Sequence, residues 1–436
     1  MNEYEIKEVI EKKCVRYLRL QFTDMLGTIK SVEVPVSQID DVLKGKVMFD
    51  GSSVEGFVRI KEADMFLSPD LDTFLILPLE SSGYGKVARI ICDVHLVDGS
   101  PSPGDPRSNL KRLIKEMNTL GFKDLNIGLE PEFYLFKNTE KLIFSDQGSY
   151  FDMAPLDASE NCRHDIVLEL EKLGFNVEAS HHEVGPGQNE INFRFASAIE
   201  ACDNVQTFKH VVKQVAKRHG LYASFMPKPV AGIAGNGMHT NCSLTDFNGN
   251  NLFYDPNNKM KLSKICMQWI SGIIKHARAI TVLTNPIVNS YKRLVPGYEA
   301  PCYICWSDAN RSSMIRIPTL REEATRTEIR NVDCAANPYL AIAGILAAGL
   351  DGIKNSYEPV EPVYDNIFLY TREEREQKGI LNLPENLKDA IKEFKKSKLM
   401  EEALGKHIYE KYIIAKELEW EEYRVLIHEW ELKRYL

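Results

Sequence analysis

A stretch dense in turn formers, Ser100-Pro-Ser-Pro-Gly104, cuts the chain into unequal parts and constrains its fold more than any other feature. Before it the pattern is strand-rich. Tyr17 to Phe22 and Lys30 to Val36 flank a turn at Met25-Leu26-Gly27, and a further apolar run covers Thr73 to Leu79. Immediately after it a helix should begin, with Asp105 as cap and Pro106 at the first helical position. Leu110, Leu113, Ile114 and Met117 form its apolar face, and Gly121 stops it. Strand and helix patterns then alternate: a strand over Asn126 to Phe136, a helix over Glu160 to Leu173, alternation at Phe175, Val177 and Ala179, and a helix over Asp203 to His219. Helices dominate the last third, among them a charged, aromatic-bearing segment from Ala415 to Tyr435. The expectation is a small β domain over 1–103 and a larger α/β or α+β domain over 104–436.

With 436 residues, 44% hydrophobic and 27% charged, the chain can bury a substantial core. Its formal charge of −8 is spread without a basic block, which argues against nucleic acid or a membrane surface as the primary partner. The charged N-terminal residues do not read as a signal peptide. Tyr339 to Leu350, the most apolar stretch, is too short to span a bilayer and reads as a closely packed helix. The nine cysteines follow no metal or disulfide spacing, which suits reduced thiols in the cytosol. Cys302-Tyr-Ile-Cys305 is read as part of a hydrophobic strand.

The chemistry-bearing residues recur at strand spacing. In Gly128-Leu-Glu-Pro-Glu-Phe-Tyr134, Glu130 and Glu132 point to one face because strand side chains alternate. Carboxylates roughly 7 Å apart repel unless a cation lies between them, or unless the face is solvated. Pro131 favours an edge or a bulge there. In His181-His-Glu-Val-Gly-Pro-Gly-Gln-Asn-Glu190, a tight turn could bring Glu183 and Glu190 to one point, although no HExxH zinc motif is present. In Gly235-Asn-Gly-Met-His239-Thr-Asn241-Cys-Ser243, glycines allow close backbone approach and His239, Asn241 and Ser243 share a face. A punctuated loop follows Asn289-Ser-Tyr-Lys-Arg293 and carries Glu299. Arg311 and Arg316 come next, and Arg326-Thr-Glu328-Ile-Arg330 alternates guanidinium and carboxylate. Arginines near metal-type carboxylates suit a polyanion, so the combination fits metal-assisted phosphoryl transfer.

Taken in this order, the segments resemble type I glutamine synthetase, the glutamate–ammonia ligase that uses ATP. The likeness runs from Phe22-Thr-Asp24 and Asp50-Gly-Ser-Ser-Val-Glu-Gly-Phe57, through Asn289-Ser-Tyr-Lys-Arg-Leu-Val-Pro-Gly-Tyr-Glu-Ala-Pro301 and Asn337-Pro-Tyr, to His428-Glu-Trp-Glu431. It implies an α+β chain with an N-terminal β-grasp domain and a larger catalytic α/β domain. It also implies a cytoplasmic homo-oligomer of twelve subunits in two hexameric rings, with active sites between neighbours. Glu132, Glu183 and Glu190 would hold one Mg²⁺ or Mn²⁺, and Glu130, His239 and Glu328 a second. Arg293, Arg311, Arg330 and the backbone of Gly235 would bind glutamate and the transferring phosphoryl group. Glu178, Phe195, Asn241, Ser243 and Arg316 would meet ATP. Glu299 would close over the intermediate, and Asp50 would reach an ammonium site in the adjacent subunit.

This chain also departs from the family pattern. The glycine loop has Ala234 where an asparagine often contacts glutamate, leaving open whether Asn236 replaces it. Phe368 stands where the adenylylated subgroup carries its tyrosine, and the interval from Phe144 to Asp157 is short. Both features resemble the alpha subgroup, in which glutamine feeds back through an arginine matching Arg59 and the tail from Trp420 to Tyr435 engages a transcription repressor. Competing readings are a γ-glutamyl ligase for amines or polyamines, and an inactive, regulator-binding ring.

Overall fold

The computed structural model describes residues 1–54, 64–82, 85–310 and 312–436. The N-terminal part opens with helix α1 (Glu3–Lys12), started by a reciprocal cap between Asn2 and Glu5. Strands β1 (Val15–Thr23) and β2 (Ile29–Pro35), helix α2 (Ile39–Leu43), and strands β3 (Met48–Asp50), β4 (Asp64–Ser82) and β5 (Gly85–His95) follow. They form one mixed sheet in the order β2-β1-β5-β4-β3, parallel only between β1 and β5. Ile6 and Ile10 of α1 pack with Leu18, Leu20, Ile90 and Val94 of the sheet in a core of their own.

Helix α3 (Pro106–Thr119) begins where the turn-rich segment ends. The Asp105 carboxylate accepts from the backbone of Arg107 and Ser108, a cap worth about 1 kcal/mol. The second sheet is built around the long strand β6 (Asp124–Asn138), with β7 (Ile143–Phe144) along its end. Helix α4 (Glu160–Lys172) and strands β8 (Val177–His182), β9 (Gln188–Phe193) and β10 (Ala196–Ser197) follow. Helix α5 (Ala198–Arg218) begins five residues before the patterned start at Asp203, because Ala198, Ala201 and Cys202 extend its buried face. Strands β11 (Tyr222–Ser224) and β12 (Met238–Thr245) then bring the chain back to β6.

Helices α6 (Lys264–Thr284) and α7 (Ser290–Arg293) precede the short strands β13 (Tyr303–Ile304), β14 (Trp306–Ser307), β15 (Ile315–Arg316) and β16 (Thr327–Ile329). The sheet order is β14-β15-β16-β12-β6-β9-β8, antiparallel at every junction except β14–β15, which makes the larger unit α+β. Helix α8 (Pro338–Lys354) is buried nearly all round, as its composition predicts. It crosses α6 so closely that a Cβ on Gly272 would sit 2.2 Å from the Ala348 carbonyl oxygen. Cys302 and Cys305 flank β13 as buried free thiols.

The C-terminal region holds α9 (Arg372–Gln377), β17 (Leu381–Asn382), α10 (Leu387–Lys395), α11 (Lys398–Arg424, crossing a non-helical Gly405) and α12 (Glu429–Tyr435). The expected segment Ala415–Tyr435 is therefore two helices. The His428 backbone donates to the Glu431 carboxylate at 2.7 Å, a reciprocal cap that starts a new helix. Among the described residues no helix is long and apolar enough to cross a membrane.

One guanidinium ties the first sheet to helix α5. Arg107, 3% exposed, donates to Asp93 of β5 at 2.7 Å, to Asp70 of β4 at 2.7 Å, and to both oxygens of Asp203 in α5 at 3.0 and 2.7 Å. The Tyr339 hydroxyl also donates to Asp203 at 2.6 Å. A planar fork with five donors can answer three carboxylates at once, one of them with two parallel bonds.

Candidate active site

The site grows from the pairing of β6. Glu130 lies opposite His239 on β12, and Glu132 opposite Glu190 on β9. Pro131 sits where β6 is locally an edge, paired with β12 on one side only. It falls between the stretches that β6 gives to β10 (126–127) and to β9 (132–134), where a missing N–H removes no ladder bond. One strand thus presents acids toward both neighbours, and β16 adds Glu328 beside Asn241.

Glu130, His239 and Glu328 bring one ligand atom each within 4.8 Å of one another. His239 Nδ1 stands 3.6 Å from Glu130 and 3.8 Å from Glu328. Burial, reinforced by Arg330, drives the imidazole down to about 3, so it is held neutral with a lone pair available. Glu328 receives Arg316 Nε at 2.9 Å and the Arg330 guanidinium, and Asn241 donates to Glu130 at 3.1 Å.

A second cluster joins His181, Glu183 and Glu190. His181 Nε2 lies 2.9 Å from Glu183, and the ring is met edge-on by Phe151 and Tyr150. Glu132 borders this cluster. Its carboxylate accepts from the Gly237 N–H at 2.8 Å and from Gln188 at 3.0 Å. Burial and then the Glu183 charge push the Glu132 carboxyl up to about 7, and burial with Glu132, Glu130 and Glu183 raises Glu190 well above its usual range. These acids crowd together with less positive charge than they need. Carboxylates with one neutral imidazole are the donor set of a hard or borderline divalent cation, so the residues fit one.

Two chambers open on either side. A cavity of about 540 Å³ is lined by Glu130, Glu178, Phe195, Asn241, Ser243 and Arg326, bringing together four of the residues expected to meet ATP. The fifth, Arg316, reaches Glu328 instead of this cavity's wall. A tighter chamber is lined by Glu132, Glu183, Gly235, His239, Arg293, Glu299 and Arg330. The Gly235 loop can approach because a Cβ there would meet the Pro227 carbonyl at 2.4 Å and Arg293 Cγ at 3.0 Å. Arg293 itself is buried, and its guanidinium donates to the carbonyls of Asn331 and Val332 at 2.8 and 3.4 Å and of Arg330 at 3.1 Å. Its visible work is therefore to fasten the strand end that carries Arg330.

Asp50 is exposed at the end of β3 and accepts from Ser52 N–H at 2.8 Å; among the described residues it lines neither chamber. Arg59 and Arg311 lie outside the described residues. Asn236 does not replace the amide missing at Ala234. It is fully buried, donating to the Ser224 and Met226 carbonyls and accepting from Gln188. Sequence reasoning missed Gln188, which also donates to the Gly235 carbonyl at 3.1 Å and so ties Glu132 to the glycine loop. Period-two counting back from Glu190 would have placed it on the acidic face.

Comparison with known proteins gives one consistent result. Residues 14–97 match the glutamine synthetase β-grasp domain and 103–435 the glutamine synthetase catalytic domain. The glutamine synthetase of Staphylococcus aureus strain MW2 is 58% identical over 99% of this chain and 97% of its own length, and that of Staphylococcus epidermidis is 57% identical over the same shares. Among solved structures, a GmaS–ADP complex superposes with a TM-score of 0.89 at 32% identity, covering 98% of each chain. The Plasmodium falciparum glutamine synthetase superposes at 0.90 and 25% identity, over 100% of this chain and 99% of that one.

Proposed function

The chain belongs to the glutamine synthetase family, and from that premise we propose how its residues divide the work of the reaction. The activity is ATP-dependent condensation of L-glutamate with ammonia, yielding glutamine and ADP. The observation that carries the assignment is the shared acidic wall between a 540 Å³ chamber and a small one lined by arginines. Two substrates can meet there only if their charges are neutralised at that wall.

Glu130, His239 and Glu328 hold one divalent cation, and Glu132, Glu183 and Glu190 another, either Mg²⁺ or Mn²⁺. Bound there, the cations supply Lewis-acid neutralisation of phosphate and carboxylate oxygens. Glu178, Phe195, Asn241 and Ser243 seat the nucleotide, with Arg316 at its phosphates. Arg330 and Arg311 balance charge on the transferring phosphoryl group while the glutamate side chain attacks, giving γ-glutamyl phosphate. Arg293 and the Gly235 backbone shape the glutamate site. Asp50 of a neighbouring subunit and Glu299 favour ammonium and accept its proton. Closing the Glu299 flap keeps water from the acyl phosphate.

Asp50 is exposed and lines neither chamber of its own chain, which supports an assembly that completes each site from a neighbour, a dodecamer of two rings. Phe368 and the short interval before Asp157 support the alpha subgroup, with glutamine feedback through Arg59 and repressor contact through the tail. The absence of a membrane-crossing helix among the described residues accords with a cytoplasmic enzyme. The test is an assay of ADP and glutamine with ammonium, ethylamine and putrescine in turn. Glutamine from ammonium supports the reading, and activity confined to the amines contradicts it.

A further inference from the structure

Lys228 is an anomaly of the fold. It is 7% exposed, and among the described residues no carboxylate pairs with it. A buried lysine without an acid is costly unless other groups replace its water. Two do so here. Its Nζ donates to the Ile233 carbonyl, and it stands 3.9 Å from the centroid of the Tyr298 ring. Burial and the nearby Arg293 charge pull the Lys228 pKa below the ordinary lysine range, so the carbonyl and the ring face are what favour its charged form.

The backbone of the same residue is clamped. Its N–H donates to Asn289 Oδ1 at 2.7 Å, and its carbonyl accepts from Asn289 Nδ2 at 3.0 Å. Asn289 caps the turn that leads to Arg293, and Ile233 enters the Ala234–Gly237 loop. Tyr298 belongs to the flap, whose next residue, Glu299, has φ +64. A left-handed non-glycine residue of this kind is strained and persists only where neighbours hold it. One lysine therefore touches the glycine loop, the arginine turn and the flap.

We propose that Lys228 is a positioning residue that latches the flap over the substrate chamber by presenting its ammonium to the face of Tyr298. Release of this contact frees residues 297–300 and admits water to the chamber. The latch follows from the contacts alone; its consequence for chemistry rests on the ligase reading above.

Hydrogen exchange of the full chain, without substrates, tests the latch independently of activity. Lys228→Met should speed exchange of the hydrogen-bonded amides at the base of the flap, Leu294 and Val295, by about thirtyfold, the worth of one desolvated cation–ring contact. Tyr298→Leu should do the same, whereas Lys228→Arg and Tyr298→Phe should keep native protection. In the double variant Lys228→Met/Tyr298→Leu, the second change should add nothing. Phosphate released per glutamine formed should rise in either leucine or methionine variant as the acyl phosphate meets water. Unchanged exchange in Tyr298→Leu, or additive effects in the double variant, would overturn the latch. Should Lys228→Met fail to fold, the two Tyr298 variants decide the matter. Failure of the native chain to form glutamine would instead count against the ligase reading.

Discussion

Two of the buried charge clusters in the molecule are balanced in opposite ways. At the junction of the first sheet with helix α5, Asp70, Asp93 and Asp203 surround Arg107, and Lys111 adds a second cation at 2.6 Å from Asp93 and 3.3 Å from Asp70. Each of these three acids has a cation partner within the chain, and Asp70 is held below the usual carboxylate range despite burial that raises it, whereas burial and the Asp93 charge push the neighbouring Asp105 up to about 6. Along β6 and β9 the acids lack such partners, and burial leaves Glu132 and Glu190 raised. A balanced cluster stabilises the fold by itself; an unbalanced one is stabilised by whatever cation comes. That difference separates structural from functional charge better than counting acids does.

The largest effects should break the comparison outright. Glu328→Ala should cut turnover by on the order of a thousandfold or more, although Glu328, unlike the acids of β6 and β9, has Arg316 and Arg330 as partners. A retained rate would refute the assignment of Glu328. Arg107→Met should instead remove about 3–5 kcal/mol of stability in urea titrations because three acids lose their shared partner. A midpoint within error of native would show that the junction is not held by this cluster.

Divalent cations sharpen the contrast next. At a hundredfold excess over its dissociation constant, Mn²⁺ should add about 2.7 kcal/mol of stability, visible as a raised melting point. Glu132→Gln should lose much of that gain, and Arg107→Met should keep it. Equal gains in native and Glu132→Gln protein would contradict the site.

The smallest effect concerns a third, balanced cluster. Burial alone would raise the Asp146 carboxyl, but hydrogen bonds from His182, Ser159, Gly187 and Gly148 outweigh it and hold it well below the usual range. A carboxyl depressed in the folded state stabilises above its unfolded pKa, about 4, and that stability drains away as pH falls through the folded value. Denaturation midpoints between pH 3 and 5 should therefore fall more steeply with acid in native protein than in Asp146→Asn.

Much of this contrast was legible in the sequence because strands encode faces with period two. Glu130, Glu132, Glu190, His239 and Glu328 all follow that rule, and their register across β6, β12, β16 and β9 brings them together as the alternation implies. The start of α3 at Asp105 and Pro106 was equally local. The junction at Arg107 was not legible, since its three acids lie 37, 14 and 96 residues away and nothing local pairs them. Gln188 and Lys228 escaped, and the role of Asn236 stayed open, for a related reason: each is polar and defined by backbone carbonyls or rings that only tertiary folding supplies.

Calorimetric titration of Mn²⁺ into native protein, Glu132→Gln and Arg107→Met tests the central claim most directly. The account predicts at least two ions per chain in the native protein, weaker or fewer in Glu132→Gln, and native stoichiometry in whatever Arg107→Met remains folded. Binding undiminished in Glu132→Gln, or no binding to the native chain, would contradict it.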